Sequence, residues 1–116
     1  MTLPRAFWCH VDYAGCSVEN AVVSGITTPL PGRALAWMRQ AVREVVPALD
    51  RDSFCAAWAW LGDHHGEGIA VRELRSGRPY AFEVSTPEGC WRWRAHLVSV
   101  LPLADACEGF YTGGVQ

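Results

Sequence analysis

The chain contains no lysine, and all ten of its cations are arginine. Asparagine occurs once, at Asn20, and isoleucine twice, at Ile26 and Ile69, against fifteen alanines, eleven glycines and seven prolines. The scarce residues use AT-rich codons and the abundant ones GC-rich codons, so the composition points to a GC-rich bacterial or phage source. A lysine-free surface would also escape lysine-directed tagging by a host. Arginine, with its planar guanidinium, suits desolvated contacts better than lysine does.

Other absences narrow the function. No apolar run approaches the roughly 18–20 residues that span a bilayer, and the N-terminus lacks a signal-peptide core. We therefore expect a cytoplasmic protein with no membrane partner. No His-x-His, His-Glu-x-x-His or Cys-x-x-Cys pattern supports a metal site, and we expect neither metal nor cofactor. Gly66-Glu67-Gly68 is too short for a phosphate loop, and no glycine-flanked serine suggests a hydrolase elbow. A net charge of −2 argues against binding dominated by a phosphate backbone. The five cysteines (Cys9, Cys16, Cys55, Cys90, Cys107) are odd in number and irregularly spaced, which reads as free, partly buried thiols rather than a disulfide framework.

What is present fits one domain of 116 residues, half of them apolar, with six tryptophans to fill a core. Residues 5–14 alternate as a strand, with Phe7, Cys9, Val11 and Tyr13 on one face and Trp8, His10 and Asp12 on the other. Residues 18–27 read as a second strand, joined to the first by a turn at Gly15-Cys16-Ser17. Two prolines then break the pattern. Residues 33–46 form the clearest helix, with Leu35, Met38, Val42, Val45 and Leu49 on one stripe and Pro47 at its end. A second helix covers residues 52–61. The Asp63–Glu67 segment is expected as a loop, followed by strands over 69–74, 80–85 and 90–101, with a short helical turn near 103–110 and a loose tail over 111–116. The expected fold is α+β, a single antiparallel sheet in ββααβββ order with two helices packed on one face.

The second helix carries the most informative feature. Residues 54–61 run Phe-Cys-Ala-Ala-Trp-Ala-Trp-Leu, apolar on every side, whereas an exposed helix keeps its apolar residues on one stripe. Positions 54, 57, 58 and 61 can face the sheet together, which leaves Trp60 outside. So short a chain rarely wraps a helix completely, and tryptophan and arginine dominate the energetics of protein contacts. We therefore expect a protein-binding module that acts by occlusion, plausibly a phage or mobile-element inhibitor of a host defence system of the anti-CRISPR kind. A homodimer is one form of that expectation, with Trp60, Trp58, Arg92 and Arg94 as contact residues.

Two other function classes have candidates. An enzyme or metal-binding protein would use His10 and Asp12, which share a strand face, or the Asp63-His64-His65-Gly66-Glu67 segment. Cys9 and His10 point to opposite faces and cannot pair. A nucleic-acid binder would use Arg72, Arg75, Arg78, Arg92 and Arg94. Trp91-Arg92-Trp93-Arg94 weakens that idea, because a strand puts its tryptophans and arginines on opposite faces. The plainer expectation is that the arginines pair with Glu73 or Glu83 on the neighbouring hairpin.

Overall fold

A computed structural model describes residues 4–15 and 21–100. The expected turn at Cys16-Ser17, the residues 18–20, and the helical turn and tail after Val100 lie outside the described residues. The elements run β1 (Arg5–Gly15), β2 (Ala21–Thr28), α1 (Pro31–Val45), a 3-10 turn at Val46–Ala48, α2 (Arg51–Leu61), α3 (His64–Arg75), β3 (Tyr80–Ser85) and β4 (Gly89–Ser99).

The fold is α+β, with one four-stranded antiparallel sheet in the order β2-β1-β4-β3. The two ends of the chain supply the strands, and the three helices pack on one face between them. Alternation along β1 sets that arrangement. Phe7, Cys9 and Val11 point under the helices with Trp93 and Ala95 of β4, while Trp8, His10 and Asp12 occupy the opposite face with Arg92, Arg94 and His96. From the helices, Leu35, Met38 and Val42 of α1, Ala57 and Leu61 of α2, and Ala70 and Leu74 of α3 complete the core. Trp93 is fully buried at its centre, worth on the order of 3 kcal/mol of burial.

One expected element is corrected. Residues 69–74 are not a strand but the body of α3, so the order is ββαααββ and the expected loop at 63–67 is largely the helix's first turn. The Asp63 carboxylate accepts the Gly66 backbone N–H at 2.9 Å, capping the helix. Ala70 and Leu74, four apart, are its buried positions. The Ile69-Ala70-Val71 run looks like a strand in isolation, but that cap and that spacing prevail. The helix ends where Gly77, at φ 89°, adopts the left-handed conformation that only glycine takes cheaply.

Candidate functional site

The outer face of α2 is the first candidate. Asp50 stands at its N-cap position in extended geometry, and Gly62 follows its last residue. The face turned to the domain is Ser53, Ala57, Trp60 and Leu61, rather than the expected stripe of 54, 57, 58 and 61. Three contacts explain the rotation. The Ser53 hydroxyl donates to the Ser85 carbonyl at 3.0 Å, the Trp60 indole N–H donates to the Tyr80 hydroxyl at 2.8 Å, and the Trp60 ring stacks on Phe82 at 4.5 Å. Tryptophan satisfies both its apolar body and its polar tip there. As a result Phe54 (42%) and Trp58 (49%) stand exposed, with rings 6.2 Å apart edge to face, and Cys55, Ala56 and Ala59 are exposed beside them. The helix is therefore left partly uncovered along its outer side, through Phe54 and Trp58 more than through Trp60.

The second candidate is the sheet face away from the helices. His10 lies opposite Arg94 in the β1–β4 register, and Asp12 opposite Arg92. The Asp12 carboxylate bridges the strands: one oxygen meets His10 Nδ1 at 2.7 Å, and the other accepts from Arg94 Nη2 at 2.7 Å. Trp8 stacks on the His10 ring at 5.2 Å, and His96 meets it edge-on at 5.5 Å. His10 and Asp12 are both buried. Burial pushes the Asp12 pKa up, but the hydrogen bonds and charges of His10 and Arg94 outweigh it, and the carboxyl sits below its ordinary range. Burial foremost, then repulsion from His10 and Arg94, lowers the His96 pKa. An Asp–His pair of this kind can orient an imidazole for base chemistry. Here, though, the imidazole is closed in by Trp8 and His96, and the geometry fits a tie between β1 and β4. An open depression of about 510 Å³ borders the cluster, lined by residues that include Ala81, Arg94 and His96. Arg94 is its one permanent cation and is already committed to Asp12.

The four residues expected to make contacts thus fall into two groups on opposite sides of the sheet. Trp58 and Trp60 belong to the helix layer, whereas Arg92 and Arg94 lie on the other face and cannot share a contact surface with them. Arg92 is within 2.9 Å of Glu83, one of the two partners expected for it, and Arg94 takes Asp12 instead. The five arginines of the nucleic-acid reading are likewise divided. Arg72 and Arg75 sit on α3, Arg78 pairs with Glu73 at 3.0 Å, and the remaining two lie across the sheet. In the Asp63–Glu67 segment, His64 approaches Glu67 at 3.5 Å. No group of three or more His, Cys, Asp or Glu side chains among the described residues is placed to hold a metal ion.

Phe54, Val22 and Val23 were not anticipated as exposed apolar residues. For Phe54 the local signal was ambiguous, because an all-round apolar helix does not state its own rotation. Cys9, Cys55 and Cys90 are free thiols, and burial pushes the Cys9 pKa up to about 11. Cys16 and Cys107 lie outside the described residues. No described helix is long and apolar enough to cross a membrane.

Comparison with known proteins gives one partial likeness. Over 73 residues, 62% of the chain, the sequence is 41% identical to a homoserine kinase of Corynebacterium aurimucosum, and the match covers 22% of that protein. The chain thus spans about a fifth of the length of the curated relative it matches. No protein-family model matches the chain, and no solved structure matches it.

Proposed function

We propose that this protein is a docking module that acts by occluding another protein, with the outer face of α2 as its contact surface. One observation carries the reading: Phe54 and Trp58 stand exposed and adjacent on a helix whose other exposed positions, beyond Arg51 and Asp52 in its first turn, are cysteine and alanine. A half-exposed tryptophan flanked by small apolar residues and a second aromatic ring has the composition of an interface centre. It is held outward by contacts on the opposite side of the same helix, so it needs no rearrangement to engage a partner.

The fuller form of the reading is an inhibitor encoded by a phage or mobile element against a host defence complex. Its support is compositional: a GC-rich residue usage and no lysine. Kinase activity is not carried over from the partial relative, because the match covers 22% of that protein, and Gly66 and Gly68 lie within α3 rather than in a strand-to-helix loop.

The test is affinity capture from host extract with the wild-type chain, Trp58→Asp and Phe54→Asp. Exposed substitutions leave stability within about 0.5 kcal/mol. Loss of a central tryptophan costs about 2 kcal/mol of binding, roughly a 30-fold fall in affinity. The expected result is a defined partner retained by wild type and lost by both variants at unchanged melting temperature. Equal capture by all three chains contradicts the reading.

A further inference from the structure

β2 is exposed along nearly its whole length. Every residue from Ala21 to Gly25 is open to solvent, and Val22 and Val23 are 59% and 57% exposed. The helices cover mainly β1, β4 and β3, so β2 projects past them, and among the described residues it pairs with β1 alone. Its sequence, Ala-Val-Val-Ser-Gly-Ile-Thr-Thr, contains no charge and no proline.

The other edge of the sheet is better protected. β3 follows Pro79, carries Glu83, has its last carbonyl taken by the Ser53 hydroxyl, and is flanked by α2. Charges, prolines and covering elements are how proteins keep sheet edges from pairing with other chains. β3 has the charge and lies against both α2 and α3, whereas β2 has no charge and meets chiefly α1. Pro29 stands just past the end of β2, and the strand carries a bulge at Val23, beyond which Ser24 to Thr28 pair regularly with β1.

We propose that β2 is a dimerisation edge, pairing antiparallel about a two-fold axis with β2 of a second copy of this chain. The absence of charge fits β2 to pair with its own copy. A two-fold axis sets each strand against itself, so any charge near the middle would face its own copy, and β2 presents none in any register. Two four-stranded sheets then continue as one of eight strands, and Val22 and Val23 gain cross-strand neighbours. Because β2 and β3 are opposite edges, α2 stays clear of the junction and the dimer carries one docking face toward each end. The inference does not depend on what α2 binds.

Sedimentation of the full chain at about 10–100 µM, where a micromolar dimer is well populated, tests it. Wild type is expected at twice its 12.8 kDa mass. Ser24, mid-strand and exposed, is changed to Lys in one variant and Glu in another; each raises the dimer dissociation constant about tenfold or more, and mixing the two restores dimer. Val23→Lys and Val23→Glu form a second pair should either Ser24 variant misfold. A monomeric wild type overturns the proposal, whether hydrogen exchange finds the β2 amides open or covered by residues 101–116. So does recovery of the chain only as one copy bound to a foreign strand. A dimer insensitive to both charge pairs, or variants whose mixtures stay monomeric, overturns it too.

Discussion

Trp60 donates its indole N–H to the Tyr80 hydroxyl at 2.8 Å, and together with the Ser53–Ser85 bond and the Phe82 stack that contact fixes which way α2 faces. Trp58, two residues earlier, is turned about 200° around the helix axis and left in water. The same contact that completes the core therefore exposes the surface proposed for docking.

Trp60→Phe should keep an aromatic ring near Phe82 but lose the hydrogen bond and some volume. The expected cost is about 1–2 kcal/mol, or roughly 5–10 °C in melting temperature. Trp58→Phe should change the melt little, and thermal unfolding of the two variants side by side measures the contrast.

Asp12→Ala should destabilise the chain by about 2 kcal/mol, because it strips His10 and Arg94 of their shared partner. The figure is kept low since the Arg94 side chain is 39% exposed and water screens its charge. Denaturant unfolding checks it, and amide exchange should rise first in the paired residues of β1 and β4.

Stability should fall on acidification in two stages. The His96 pKa lies below its ordinary 6.5, so below that pH the unfolded chain binds a proton more readily than the folded one. The melting temperature then drops as pH falls from about 6.5 toward the lowered value, and His96→Gln removes that part of the slope. Asp12, with its pKa also lowered, stabilises the fold above the ordinary 3.8, and its contribution disappears as pH falls through its folded value. Melts between neutral and acid pH resolve both.

Thiol labelling should separate the cysteines. With a pKa of about 11 against an ordinary 9.0, the Cys9 thiolate is about 100-fold scarcer at neutral pH, and the side chain is fully buried besides. Peptide mapping after alkylation should find Cys55, exposed on α2, modified in the native chain and Cys9 modified only on unfolding.

Much of the fold was legible because its strands alternate cleanly. Phe7, Cys9 and Val11 against Trp8, His10 and Asp12, and Trp91 and Trp93 against Arg92 and Arg94, assigned both sheet faces from local pattern alone. α3 was misread because Gly66 and Gly68 lower helix propensity and Ile69 and Val71 favour strands, while the Asp63 cap that offsets them is a single hydrogen bond. The Arg94–Asp12 pair joins residues 82 positions apart and depends on β1 lying beside β4, a neighbour relation that no local window contains. The rotation of α2 was hidden for the same reason, since Tyr80 and Ser85 decide it from across the core.

The outer face of α2 is proposed to touch another protein. A photo-crosslinking residue, p-benzoylphenylalanine, in place of Trp58 tests this most directly in cells, with the same residue in place of exposed Arg72 as the control. One discrete heavier adduct is expected from position 58 on illumination and none from position 72. Adducts that are absent at 58, or identical at both positions, would contradict it.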